Sequence, residues 1–290
     1  MGESLKGYER GAVYWIILPP DGTKLAIVGD GPGDHRARVW DWRSGTVLVG
    51  LIKGHTQLIH GVCWSSDDEE LVTASGDIAI HRWIVLTKEE LGKPLQAHDD
   101  RHDGEKWSVL FLPDGKEIAS CGDDDTVRFL DLETGEQIEE PLKGYERGAV
   151  YWIILPPDGT KLAIGCWIPE VGPFEGHTDG VTATEFSPGG LYLASVGDGP
   201  GDHRARAWDW RSGTVLVGLI RGHTQLIHGV CWSSDDEELV TASGDIAIRR
   251  WIVLTKEELG KPLQAHDDSI HPDIVECWEL ACERFQETRC

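Results

Sequence analysis

The sequence contains no apolar run near the roughly 20 residues that a membrane span needs. Its first residues carry no basic stretch followed by an apolar one, so no secretory signal is expected. No two cysteines stand in a Cys-x-x-Cys spacing, and their number, seven, is odd. Reduced, mostly buried thiols are therefore expected. Cationic side chains are scarce. Lys and Arg total 27 against 50 Asp and Glu, a net charge of -23. Such a chain repels phosphate backbones and anionic lipid, which excludes nucleic acid and membranes as partners. Solubility is the plain meaning of the charge, and a basic partner peptide is the sharper alternative. No Gly-x-x-x-x-Gly-Lys-Ser/Thr phosphate loop occurs.

What the sequence does contain is itself, twice. Residues 5–27 recur unchanged at 142–164. Residues 28–100 recur at 196–268 with three substitutions: Val39/Ala207, Lys53/Arg221 and His81/Arg249. The second copy carries 31 additional residues, 165–195. A duplicated chain is a repeat array until shown otherwise.

Smaller repeats lie inside the duplication. Gly54-His55 precedes the strand-like run Gly61-Val62-Cys63-Trp64, an acidic turn at 65–70, a second strand at 71–74, Gly76-Asp77, and a strand ending at Trp83. Residues 45–53 and 84–95 supply a fourth strand. The anchors are Tyr8, His55, His98, Tyr145, His177, His223 and His266, spaced by 47, 43, 47, 32, 46 and 43 residues. The strands end at Trp40-Asp41, Trp83, Leu130-Asp131, Trp208-Asp209 and Trp251.

A four-stranded period of this length, with Gly-His before it and Trp-Asp after it, resembles the WD-repeat family. The resemblance implies an all-β propeller over residues 1–268. About five complete blades and one truncated blade are expected, with a truncated seven-bladed parent as the alternative. Repeat four is the damaged one: after 161–164 its turn and third strand are missing. Repeat one joins the first half of repeat four to the second half of repeat five in phase. Residues 1–6 are too short for a good closing strand. The tail, 269–290, carries Ile274, Val275, Trp278, Ala281, Cys282 and Phe285 at helical spacing after Pro272, so a short amphipathic helix is expected there.

Hydroxyl, His and Asp recur together. The sets are His55, Thr73, Asp77 and Trp83; His223, Thr241, Asp245 and Trp251; His177, Ser195, Asp202 and Trp208; and His98, Ser120 and Asp124, where Leu130 replaces Trp. They invite a hydrolase triad reading. A nucleophile also needs an exposed oxygen and an oxyanion site, and nothing in the sequence supplies them. In the family these residue types form a buried hydrogen-bond network within each blade, and that role is expected here. Repeats one and four depart from the pattern, with Tyr8 and Tyr145 in place of His and Ile27 and Ile164 in place of the hydroxyl. Those blades are expected to rest on packing.

The loops at 29–34 and 197–202 fit neither a phosphate site, since no helix follows, nor a calcium loop, since the closing Glu is absent. A lengthened turn is expected, with no metal and no cofactor. In the family this turn and the Gly-His loop share one face, which is where partners bind. Repeat three enlarges its leading loop at 99–106. Arg36, Arg43, Arg101, His102, Lys106, Arg204 and Arg211 are the candidate partner-binding residues, with His35 and His203 beside them. Trp40-Asp41-Trp42-Arg43 and Trp208-Asp209-Trp210-Arg211 also match the Trp-Asp-x-Arg ending of substrate receptors of cullin-RING ubiquitin ligases, in which the Arg contacts the adaptor.

The function expected is a non-enzymatic protein-interaction scaffold or recognition module in the cytoplasm, with the nucleus as the alternative. Near-identical repeats are similar to the recognition arrays of fungal nucleotide-binding-domain receptors. A ubiquitin-ligase substrate receptor and a propeller-pocket enzyme are the alternatives. The partners expected are other proteins or peptides, together with self-association through unclosed strand edges.

Overall fold

The computed structural model describes residues 12–17, 24–31, 34–41, 46–96, 108–122, 124–143, 150–159, 162–166, 177, 181–197, 203–245 and 247–264. Every regular element among them is a β-strand. The expected C-terminal helix lies outside the described residues. So do His98, Asp202, Arg43, Arg101, His102 and Lys106, and the side chain of Arg36.

Short β-branched and aromatic runs, punctuated by Gly, Asp and Pro, fold into successive antiparallel sheets. The first is β1 (Ala12–Ile17), β2 (Leu25–Gly31), β3 (Asp34–Asp41) and β4 (Thr46–Lys53), paired in that order. The second is β5 (Ile59–Trp64), β6 (Glu70–Ser75), β7 (Ala79–Ile84) and β8 (Glu89–Glu90), with β9 (Leu95–Gln96) also on β7. The third is β10 (Ser108–Phe111), β11 (Glu117–Cys121), β12 (Thr126–Asp131) and β13 (Leu142–Lys143). A two-stranded sheet follows, β14 (Val150–Ile154) with β15 (Ala163–Cys166). Next are β16 (Val181–Phe186), β17 (Tyr192–Gly197), β18 (Arg204–Asp209) and β19 (Thr214–Arg221). The last is β20 (Ile227–Trp232), β21 (Glu238–Ser243), β22 (Ala247–Ile252) and β23 (Glu257–Glu258), with β24 (Leu263–Gln264) on β22. The chain divides into two compact halves, Met1–Ile153 and Ile154–Cys290.

Local chemistry sets the turns. Before β6, the Ser65 hydroxyl donates to Asp67 Oδ1 at 2.5 Å and accepts the Glu70 N–H at 2.9 Å. Ser233, Asp235 and Glu238 repeat the arrangement at 2.5 and 2.8 Å. The outer strand of the second sheet breaks into β8 and β9, because Gly92 turns at φ +79° and Pro94 lacks an N–H to continue the ladder. The first strands of the second and last sheets share a bulge: β5 shifts register between Ile59 and Gly61, and β20 between Ile227 and Gly229.

The additional residues at 29–34 do not simply lengthen a turn. They extend the β2–β3 ladder, which runs through Asp30↔His35 to Gly31↔Asp34.

Within each half, sheets pack face to face. Ala26, Ala37 and Val39 of the first sheet meet Ile59, Trp64, Leu71 and Trp83 of the second. Val72 and Ile80 meet Val109, Ile118 and Leu130 of the third. In the second half, Ala194, Ala205 and Ala207 meet Ile227, Trp232 and Trp251. Equivalent indoles also tie neighbouring sheets together. Trp64 Nε1 donates to the Ile17 carbonyl at 3.4 Å, and Trp232 Nε1 to that of Glu185 at 3.0 Å.

Candidate functional site

In repeat two, β6 supplies Thr73, the β6–β7 turn Asp77, β7 Trp83, and the loop before β5 His55. Gly54 is required beside His55. A Cβ there would lie 2.5 Å from the Trp83 ring, which crosses the loop. Gly222 stands in the same relation to Trp251, at 2.6 Å. The His55 Nδ1–H donates to Asp77, at 3.0 and 3.1 Å from its two oxygens. Its Nε2 lies 2.9 Å from Thr73 Oγ1, which also accepts the Trp83 Nε1–H at 2.9 Å. Asp77 further accepts the backbone N–H of Thr56 at 2.7 Å and of Ala79 at 3.1 Å.

Repeat six repeats the arrangement. His223 Nδ1 lies 2.9 and 3.0 Å from the Asp245 oxygens and its Nε2 2.8 Å from Thr241 Oγ1, which accepts from Trp251 at 2.9 Å. Burial opposes ionisation of both aspartates. The imidazole and the backbone N–H groups outweigh it, holding Asp77 and Asp245 below the usual carboxylate range. Burial also pushes His223 below its ordinary value, against the pull of Asp245.

Repeat five differs. Ser195 Oγ meets His177 Nε2 at 2.8 Å and accepts from Trp208 at 2.8 Å, but His177 Nδ1 faces Arg206 Nη1 at 2.6 Å. A guanidinium only donates. His177 Nδ1 therefore accepts and its Nε2–H donates to Ser195, the reverse of His55 and His223.

In repeat three Ser120 is fully buried, and Asp124 accepts from the Thr126 N–H at 3.1 Å and pairs with Arg128 at 3.0 Å. The buried Leu130 fills the place of the Trp.

Sequence reasoning missed the residue two before each of these Trp or Leu positions. It is Arg38, Arg128, Arg206 or Arg249 in four repeats and His81 in repeat two. Arg249 pairs with Glu258 at 2.9 Å, whereas His81 Nδ1 lies 2.7 Å from Glu90 Oε1. The spacing to the Trp was the available signal.

Thr73 and Thr241 are 0 % exposed, and each hydroxyl is already engaged by an indole and an imidazole. Neither is an accessible nucleophile. Of the candidate partner-binding residues, Arg204 opens β18, half-buried, in register with Arg221. Arg211 is exposed; its guanidinium lies 4.8 Å from the Trp210 ring and 3.0 Å from Asp158.

These repeated four-residue clusters at hairpin ends, in sheets that pack in series, define a repeat-built β scaffold. The family model for the WD domain, G-beta repeat, matches residues 46–83, 92–131, 169–209 and 214–251, over half of the chain. The chain belongs to the WD-repeat family. It is 28% identical to THO complex subunit 3 of Arabidopsis thaliana, covering 81% of this chain and 75% of that protein. It is 26% identical to the mouse serine-threonine kinase receptor-associated protein, over 87% of this chain and 69% of the relative. It is also 26% identical to nuclear distribution protein PAC1-1 of Uncinocarpus reesii, over 82% and 68%.

Proposed function

We propose that the chain is a non-enzymatic WD-repeat recognition module that binds another protein or peptide. The observation that carries this reading is the engagement of Thr73, Thr241 and Ser195 inside buried struts. The residue types that suggest hydrolysis are used up in holding hairpins together. Function then falls to the loops and the strand ends beside them, where Arg36, Arg43, Arg101, His102, Lys106, Arg204 and Arg211 are the proposed contacts. Two of the relatives are named as a complex subunit and a receptor-associated protein. These basic contacts stand out on a chain of net charge -23 and call for acidic groups on the partner where they touch it. No helix among the described residues is long and apolar enough to cross a membrane. The proposed location is the cytoplasm or the nucleus.

The adaptor-binding alternative has weaker support. Arg211, the group that would reach the adaptor, is already held by Asp158 and by the Gly190 carbonyl at 3.3 Å.

The test is quantitative affinity purification with the wild-type chain, an Arg101→Glu/Lys106→Glu variant and an Arg43→Ala/Arg211→Ala variant. A partner set lost with the first variant, at unchanged thermal stability, supports loop-mediated recognition. Selective loss of a ligase adaptor with the second supports the alternative. Partners retained by both variants sink the proposed contact set.

A further inference from the structure

His81 is the one difference between the two near-identical copies that changes chemistry, and it stands beside His55 and Asp77 of repeat two. Its ring stacks on Trp83, with centroids 5.3 Å apart and planes 5° apart, and meets His55 edge-on at 4.2 Å. Donor atoms of His55, Asp77 and His81 all lie within 4.8 Å of one another. Glu90 brings a second carboxylate, its Oε1 2.7 Å from His81 Nδ1. That contact is an ion-pair approach off the line of a well-aligned hydrogen bond, and no other group donates to or accepts from the buried Nδ1. His81 itself is 6 % exposed.

The other repeats show what this place ordinarily holds. Where repeat two has His81, a guanidinium meets the cluster in three others. Arg128 pairs with Asp124, Arg206 reaches His177 Nδ1, and Arg249 binds Glu258 through 2.9 and 3.1 Å contacts. Repeat six sets one permanent cation against Asp245 and Glu258. Repeat two sets two imidazoles against Asp77 and Glu90, two carboxylates with no guanidinium in the equivalent place.

We propose that repeat two binds one divalent transition-metal ion, of the zinc class, through His55, Asp77, His81 and Glu90. Two imidazoles and two carboxylates form the nitrogen–oxygen donor set that such ions favour. Bonds of about 2.0–2.2 Å to a tetrahedral ion place donor atoms roughly 3.3–3.5 Å apart. His55 Nδ1 and Asp77 are already near that spacing. Bringing the His55, Asp77 and His81 donors, now within 4.8 Å of one another, to that spacing takes a movement of at most about 1.4 Å, within reach of a ring rotation.

Metal on His55 Nδ1 displaces the proton now shared with Asp77, and the ring takes up a proton from solvent at Nε2 in exchange, so the imidazole stays neutral and no net proton is released. Its Nε2–H then donates to Thr73. His177 already holds this tautomer, with a guanidinium in the metal's place and Nε2–H on Ser195. The fold therefore accommodates a cation at Nδ1. The ion would lock the leading loop, the β6–β7 turn and β8 of repeat two together, and would leave repeat six unaffected.

The test uses the full chain, stripped with chelator, exposed to excess zinc and freed of unbound metal by gel filtration. Zinc per chain is then measured by mass spectrometry. His81→Arg gives repeat two the residue that repeat six already carries, and Arg249→His does the converse. The wild type should retain one more equivalent than His81→Arg, and Arg249→His one more than the wild type. Zinc held by thiols is common to all three and cancels. Equal zinc in the wild type and His81→Arg overturns the proposal, as does Arg249→His without a gain. If His81→Arg fails to fold, the comparison of Arg249→His with the wild type decides alone.

Discussion

Arg206 donates to Nδ1 of His177 at 2.6 Å, whereas the same nitrogen of His223 donates to Asp245 at 2.9 Å. Two histidines at equivalent places in one chain thus carry their protons on opposite nitrogens. The hydroxyl partner responds in kind. Thr241 donates to its imidazole and Ser195 accepts from its own.

This reversal is directly measurable. In ¹⁵N-labelled protein at neutral pH, the imidazole of His177 should report protonation at Nε2. Those of His55 and His223 should report it at Nδ1. Arg206→Met leaves His177 Nδ1 without its donor, at a cost of about 1–3 kcal/mol in unfolding free energy. A His177 spectrum matching that of His223 would remove the basis for the difference.

Acid should weaken repeat six in a defined direction. Burial, the dominant influence, depresses His223, and Asp245 is held low by its donors despite its own burial. A depressed histidine and a depressed carboxyl both bind fewer protons folded than unfolded. Stability is therefore full above the ordinary histidine value of 6.5 and falls as pH drops, first through the histidine and then through the carboxylate range. Unfolding midpoints between pH 7.5 and pH 4 should decline, and Asp245→Asn should start lower but decline less. An equal decline in both would show that this pair contributes nothing to the acid limb.

Glu185 should show the opposite sign. It lies on β16 where Cys63, Leu110 and Cys231 occupy the equivalent places, and burial pushes its carboxyl up to about 8. An acid with a raised folded pKa costs stability as pH climbs from its ordinary value of 4.5 through about 8. Glu185→Gln should raise the unfolding midpoint at pH 8.5 and leave it nearly unchanged at pH 4. A gain of equal size at both would point to shape rather than charge.

The family, the all-β class and the grouping of His55, Thr73, Asp77 and Trp83 were legible in the sequence. A hairpin fixes which residues meet at its end, and that geometry is written in the spacing. The proton arrangement around His177 was not legible. Spacing does not say which long side chain reaches an imidazole nitrogen, and Arg206 gets there from inside a strand. The β2–β3 extension was hidden for a related reason. Gly, Asp and Pro at 29–34 read as a loop, but the chain still pairs Asp30 with His35 across the hairpin. His81 was visible as a difference between copies, and its surroundings were not.

Edge strands are a further point of attack. The outermost β4 and β19 are eight residues long, while β8, β13 and β23 have two each. Val47 is 48 % exposed and Val215 44 %. Long apolar edges template pairing with another chain. Val47→Lys with Val215→Lys should reduce concentration-dependent mass in light scattering, with no loss of the unfolding midpoint. An association unchanged by both lysines would rule out these edges.

The sharpest question is whether the hydroxyl clusters are struts or an active site, and thermal unfolding of Thr73→Val and Thr241→Val answers it. If they are struts, each variant strands a buried indole N–H and an imidazole nitrogen. Each should lose about 1–3 kcal/mol per orphaned group, which lowers the midpoint by about 2–4 °C per kcal/mol. Midpoints at or above that of the wild type, the behaviour of a strained catalytic residue once removed, would contradict the scaffold role.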